Sequence, residues 1–407
     1  MTSLAAHSNP TNDTKYEITP FKIDLSGKVP HLKDLLSRTR LPENELHQDH
    51  ELDKGIQLDV LKGLKDEWLQ SYGWDAEQAK LNEPVHPFKH FTAVIEGQKV
   101  HFVHEKSENP GAIPIILLHG WPSSFHEFTP VIKSLTESWA NAAGKKVSYN
   151  VVVPSLPGFV FSSAPPVTWT TDDTARIFNT LMTELLGYPK YAVHGTDWGC
   201  VVGYSLYKNF SKTVRAAQFV FIPFIPPSRE QMAAENITLT AEQNVTVARY
   251  TAAGTTGLGF RDMQTNKPND VALSLYDNPV GQLAWIGGNI LRWSDPRAGT
   301  GPSQLNSNAL LTMISLYYLA ESFPSSLLIY GANPAAFSSV YAKAPTDAPM
   351  LFSQHKYNVA FWPEEFVAKV GNLVSYKLHE FGGHFPGIDN PPATISDIRE
   401  VASYWEV

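Results

Sequence analysis

The 407-residue chain has one cysteine, Cys200. No intrachain disulfide can form, and the composition suits a reducing compartment. Next to the small Gly199, that thiol reads as packing rather than chemistry. No block of lysine or arginine occurs and the net charge is −8, so nucleic acid is not an expected partner. No apolar run reaches the roughly 18 residues needed to span a bilayer. The stretch from Met1 to Tyr16 lacks the basic start and apolar centre of a signal peptide, and lacks an arginine-rich transit pattern. A cytoplasmic location without a membrane anchor is therefore expected. No Gly-X-Gly-X-X-Gly follows the first parallel strand, which argues against a nucleotide cofactor. His86 and His90 are four apart, but Pro84 and Pro87 argue against a helix there, so the pair need not share a face, and no cysteine cluster exists. No metal is expected either.

What the chain does have is apolar mass, 43% hydrophobic residues with 12% aromatic against 18% charged, enough for a large buried core. Residues 1–90 read as a meander of helices and loops, with apolar helical spacing in Val60 to Gln70. Phe91 to Ile95 and Lys99 to His104 flank Gly97 as a hairpin. Strand and helix then alternate. Ile113 to Leu118 is a continuous apolar run suited to a buried parallel strand, followed by a helix from Phe125 to Thr136 and a strand from Tyr149 to Val153. Thr171 with Asp172 and Asp173 starts a helix towards Leu186. Lys190 to His194, Trp198 to Asn209 and Val214 to Ile222 continue the pattern. It stops over 225–340, a helical stretch rich in aromatics that reads as a lid insertion, and resumes over 341–407. The expectation is a doubly wound, mostly parallel α/β core in two parts, 91–224 and 341–407, with an inserted lid and an N-terminal meander.

Gly195-Thr196-Asp197-Trp198-Gly199 lies between a strand and a helix. Small residues two before and two after a nucleophile are what a sharp strand-to-helix elbow requires. Here the nucleophile is aspartate rather than serine. A carboxylate attacking carbon leaves an ester, so the substrate should carry an electrophilic carbon. A base must then activate water, and His384, in the glycine-rich loop Gly382-Gly383-His384-Phe385, follows the nucleophile in the order expected for α/β-hydrolases. The acid that orients it should follow the strand Met350 to Ser353. Glu364 and Glu365 both do, whereas Asp347 precedes the strand and no carboxylate closely follows Val214 to Ile222. Backbone N–H groups of Trp198 and of Trp121, in His119-Gly120-Trp121-Pro122, are the candidate oxyanion donors.

These motifs, together with Pro20-Phe21-Lys22-Ile23, Leu36 to Pro42 and Tyr72-Gly73-Trp74, resemble the microsomal-type epoxide hydrolases of the α/β-hydrolase superfamily, in particular their soluble fungal members. The resemblance implies that the acid follows a proline by two positions, which favours Glu365 after Pro363. It implies two lid tyrosines that donate to the epoxide oxygen. Tyr330 falls at the second position, and Phe260 at the first, where no proton can be donated; Tyr250 and Tyr276 are alternatives. Loss of one such donor costs roughly 3 kcal/mol. It also implies a homodimer. Trp285, Trp293 and Phe323 join Phe260 as candidates to shape the substrate pocket.

Three functions compete. The first is hydrolysis of a small hydrophobic epoxide by water through an Asp197 ester. The second, motivated by Phe260, is an intramolecular epoxide opening or cyclisation on the same scaffold in secondary metabolism. The third is a ligand-binding homologue that has lost catalysis, which the intact Asp197, His384 and oxyanion loop argue against. A dehalogenase would need halide donors, and a tyrosine lid suits an epoxide better.

Overall fold

The computed structural model describes residues 16–47, 54–82, 89–141 and 144–405. The segment holding His86, Pro84 and Pro87 lies outside them, as does nearly all of the stretch read for targeting signals. Among the described residues the main sheet has nine strands, β1 (Ile18–Pro20), β2 (His90–Ile95), β3 (Gln98–Glu105), β4 (Ile113–Leu118), β5 (Tyr149–Pro154), β6 (Tyr191–Gly195), β7 (Val214–Phe219), β8 (Pro349–His355) and β9 (Asn372–His379). They lie in the order β1-β2-β3-β5-β4-β6-β7-β8-β9. The first four in that order pair antiparallel and the remainder pair parallel. This is the α/β-hydrolase fold.

Local chemistry accounts for the elements. In β4, Ile115 to Leu118 are all fully buried, as a strand covered on both faces demands. The β2–β3 turn places Glu96 at φ 51° and Gly97 at φ 81°, the paired positive angles of a type I′ hairpin turn. Helix α1 (Val29–Arg38), α2 (Leu58–Gln70) and α3 (Trp74–Asn82) form the N-terminal segment, α4 (Thr129–Thr136) follows β4, and α5 (Thr171–Thr180) follows β5. Thr170 caps α5 in a reciprocal box with Asp173, fixing the start one residue before the acidic pair. Helix α5 continues as a π turn over Leu181–Leu185.

Between β7 and β8 the chain makes a run of helices from Arg229–Ala234 to Leu328–Ala332. The N-terminal segment holds this insertion. Trp68 Nε1 donates to Ser315 Oγ at 3.0 Å, and the Tyr72 hydroxyl to Thr312 Oγ1 at 3.2 Å, both on the inserted helix Ser307–Leu319. Lys28 Nζ reaches the Leu319 carbonyl at 2.8 Å. Helix α6 (Asp197–Asn209) packs beside α5 and contacts β4, β6 and β7. A Cβ on Gly199, in its first turn, would lie 2.0 Å from the Leu118 carbonyl oxygen.

That clearance makes a testable contrast. Gly199→Ala should lower the unfolding free energy by at least about 2 kcal/mol, because rigid backbone has to move. Gly63→Ala, at an exposed site on α2 with open space around it, should raise stability by about 0.5–1 kcal/mol. Urea unfolding of both variants checks this; equal midpoints would remove the elbow as a packing constraint.

Candidate active site

The turn from β6 into α6 is an elbow with Asp197 at φ 44°, a left-handed conformation that costs a non-glycine residue about 1–3 kcal/mol. Its neighbours make room. A Cβ on Gly195 would lie 2.7 Å from the Gly199 carbonyl oxygen, and one on Gly120 would lie 2.1 Å from Asp197 Oδ1. The loop after β4 therefore presses directly on the carboxylate. Trp121 N–H donates to Asp197 Oδ1 at 2.7 Å. Trp198 lies in the first turn of α6, with its ring buried 4.9 Å from that of Tyr330. Cys200 Sγ lies 3.0 Å from the Gly195 carbonyl, and burial pushes its thiol well up, so it packs as a neutral group.

His384 is buried in the loop after β9. Its Nε2 lies 3.1 Å from Asp197 Oδ2. The loop is pinned by its own backbone: His384 N–H donates to the Trp293 carbonyl at 2.8 Å, Gly382 N–H to Asp295 at 2.9 Å and Gly383 N–H to Asp389 at 2.8 Å. Gly382 takes φ 102°, which favours glycine.

The expected orienting acid is not there. Glu365 is exposed in the first turn of the short helix Glu364–Val367, as is Glu364. The partner of His384 Nδ1 is Asn358 Oδ1, at 2.8 Å, with Asn358 fully buried in the loop after β8. The amide's orientation is fixed, since its Nδ2 donates to the Val220 carbonyl at 2.9 Å and its Oδ1 accepts from Val359 N–H at 2.8 Å. Oδ1 therefore accepts from an Nδ1–H, and the other ring nitrogen, Nε2, is the one turned to Asp197. Asn358 carries no charge to single it out in the sequence; its place, three residues beyond the end of β8, is the signal the chain offers.

The insertion brings aromatic rings over Asp197. Tyr330, buried in Leu328–Ala332, lies edge-on to Trp198, and edge-on to Trp121 at 5.9 Å. Phe260 stacks on Trp121 at 5.5 Å and meets Trp293 at 4.8 Å. Trp293 also sits edge-on to His384 at 5.5 Å. Tyr276 is exposed beside Glu321, away from this cluster. Tyr250 borders a separate groove with Ile225 and Arg229. Trp285 is half-buried and donates to Gln264, and Phe323 is fully buried in the core.

Glu127, another carboxyl, lies under the elbow. It is fully buried, accepts from Ser123 Oγ at 2.7 Å and lies 3.4 Å from Thr196 Oγ1. Burial, helped by the Asp197 charge, pushes it up to about 8. Among the described residues one trio could approach a metal, His355, His379 and Asp397. Lys377 already sits 3.0 Å from that aspartate and His379 2.7 Å. Against the upward push of burial, these contacts hold Asp397 at about 2.

Comparison with known proteins follows the same division. Residues 18–128 match the family model described as epoxide hydrolase N terminus, and residues 113–270 that of the alpha/beta hydrolase fold. A Stigmatella aurantiaca protein named "Putative epoxide hydrolase" is 32% identical over 94% of this chain and 84% of its own length. Epoxide hydrolase 1 of Oryctolagus cuniculus is 27% identical over 96% of this chain and 90% of its own. The Aspergillus niger epoxide hydrolase structure superposes with a TM-score of 0.80 at 29% identity, covering 96% of this chain and 97% of that one. The juvenile hormone epoxide hydrolase of Bombyx mori shares the fold, at TM-score 0.82 and 24% identity, over 97% and 96% of the two chains. No described helix is long and apolar enough to cross a membrane.

The buried Glu127 gives a pH signature. Its folded-state value lies above the ordinary 4.5, so the folded chain holds a proton that the unfolded chain releases, and stability falls as pH rises between about 4.5 and 8. Glu127→Gln should remove that slope, gaining on the parent by up to about 1.4 kcal/mol per pH unit across the window. Chemical unfolding at pH 5, 6.5 and 8 measures it; parallel curves for parent and variant would show the carboxyl is not held protonated.

Proposed function

The chain belongs to the epoxide hydrolase family of α/β-hydrolases, and on that premise we propose that it opens an oxirane through a covalent ester on Asp197 and hydrolyses that ester with water. The observation that carries the proposal is the division of the Asp197 carboxylate. One oxygen accepts from Trp121 N–H at 2.7 Å, and the other lies 3.1 Å from His384 Nε2. Oδ2 attacks a ring carbon, the carbon–oxygen bond breaks, and the leaving oxygen takes a proton from the Tyr330 hydroxyl. Water then loses a proton to His384 Nε2 and adds to the ester carbon. Negative charge collects on Oδ1, where the Trp121 N–H already points and the Trp198 N–H is the second candidate donor. On collapse the expelled oxygen takes the remaining proton of the added water, so a diol leaves and Asp197 returns as a carboxylate, while the proton on His384 passes to the Tyr330 phenolate.

Asn358 gives this cycle an unusual balance. An amide that accepts from Nδ1–H sets the productive tautomer, as a carboxylate would, but it adds no charge to stabilise the imidazolium. Ring opening does not form that cation; ester hydrolysis does. The second step should therefore limit turnover. The same feature, with Phe260, supports a second reading in which a hydroxyl of the substrate itself opens the ring and no diol forms. Water labelled with heavy oxygen separates the two under multiple turnover: the first diol carries Asp197 Oδ2, while each hydrolysis builds solvent oxygen into the carboxylate, which enters the product in later turnovers, and cyclisation places none there.

Two variants test the main reading on a panel of aliphatic and aryl oxiranes. Asp197→Ala should abolish turnover, and unchanged activity would end the proposal. Asn358→Ala should leave ester formation near the parent rate while slowing ester hydrolysis about 100-fold, so the alkylated enzyme accumulates and is read by mass spectrometry of the quenched protein. Equal slowing of both steps would mean Asn358 serves packing alone.

A further inference from the structure

Gln264 is fully buried on the inserted helix Gly259–Asn266, one turn beyond Phe260, so the two side chains share a helix face. That face looks onto the site, because the Phe260 ring stacks on Trp121 and lies edge-on to Tyr330 at 6.2 Å. The carboxamide has a fixed sense. Trp285 Nε1–H, which can only donate, reaches Gln264 Oε1 at 2.9 Å, leaving Nε2 with its N–H donors and no hydrogen-bond partner. An unpaired buried amide is costly to keep. Trp198 Nε1 is likewise buried without a partner. Both groups adjoin the Tyr330 hydroxyl: burial and the Asp197 charge push that phenol up, while Trp198 and Gln264 draw it back. Two N–H groups thus gather beside the Tyr330 hydroxyl without making a hydrogen bond to its oxygen.

We infer that Gln264 Nε2 is the second hydrogen-bond donor to the oxirane oxygen, paired with Tyr330 and filling the role for which Phe260 is unsuited. The inference rests on the reading of Asp197 as the nucleophile. An amide N–H stabilises a developing alkoxide but does not surrender its proton at neutral pH. Tyr330 alone therefore transfers the proton, while Gln264 carries part of the charge. The group recognised is an ether or alkoxide oxygen, an acceptor with lone pairs facing the insertion.

The test isolates ester formation, followed in single turnover by the fluorescence of Trp121 and Trp198 and by rapid quench, with oxiranes of graded alkoxide basicity. Gln264→Glu keeps the acceptor for Trp285 and removes the amide donor; Gln264→Leu removes both. Each should slow ester formation about 100-fold without changing hydrolysis of the ester once formed, and the penalty should grow with alkoxide basicity. In Gln264→Glu the loss should shrink relative to the parent as pH falls and the introduced carboxyl gains a proton to donate. Adding Phe260→Tyr to Gln264→Leu should restore ester formation. Variants that form the ester within about threefold of the parent, or that lose rate equally for every oxirane with no recovery by low pH or Phe260→Tyr, overturn the inference while leaving Asp197 in place. A parent that forms no ester overturns the nucleophile and this inference together.

Discussion

The structure turns on how closely backbone approaches the Asp197 carboxylate. Asp197 sits in a left-handed conformation, with the loop after β4 near enough that a methyl on Gly120 would overlap its Oδ1. Such a conformation persists only when the surroundings over-determine it. Here they do: Thr196 N–H is held by the Leu118 carbonyl at 3.0 Å, Gly199 leaves no room above Leu118, and β4 pairs directly with β6. The strain is carried by the parallel sheet, and its result is a carboxylate presented with one oxygen solvated by protein N–H before any substrate arrives. That preorganisation is worth more in a buried site than in water, because the donor need not reorient as charge develops.

The same economy governs the histidine arm, with one difference. His384 is fixed at its backbone by the Trp293 carbonyl and at its ring by Asn358. The Val220 carbonyl decides what Asn358 can do, since it claims the amide nitrogen and turns the oxygen towards Nδ1. An amide turned the other way would offer a donor to Nδ1 and force the unproductive tautomer. A carboxylate at position 358 would set the same tautomer and add charge, but it would put an oxygen against the Val220 carbonyl. The surroundings are therefore built for an amide, and the site trades imidazolium stabilisation for a fully hydrogen-bonded, uncharged neighbour.

How much of this the sequence revealed depends on whether a constraint acts through backbone or through side-chain identity. The elbow and the His384 loop were legible because close backbone approach demands glycine, and Gly195, Gly199, Gly382 and Gly383 mark it in the chain itself. Buried parallel strands such as Ile113–Leu118 were legible for a related reason, as continuous apolar runs. The partner of His384 was not. Glu365 has the right charge and the right spacing from Pro363, yet it lies exposed on a helix, and no composition rule points to a neutral asparagine in a loop. Gln264 was hidden for the same reason. A buried amide has meaning only once its Trp285 bond and its unpartnered nitrogen are seen together.

The chemistry is thus split between two layers that meet at Asp197. On the proposed mechanism, nucleophile, base and oxyanion N–H lie on loops at the strand ends, while the rings and donors that face the leaving oxygen come from the insertion. Their separation must hold to a fraction of an ångström for attack and protonation to occur on one ring. Cross-links between the layers serve that need. The Tyr317 hydroxyl donates to the Ser123 carbonyl at 2.6 Å, Ser325 Oγ to the Gly158 carbonyl at 2.6 Å, and His384 N–H to Trp293. The N-terminal segment bonds to Ser307–Leu319, the helix that carries Tyr317, and so braces the insertion from its far side. A segment remote from the proposed reacting atoms in this way bears on the distance between Asp197 and the Tyr330 hydroxyl, which gives a helical meander a part to play beside a hydrolase core that already holds the proposed nucleophile and base.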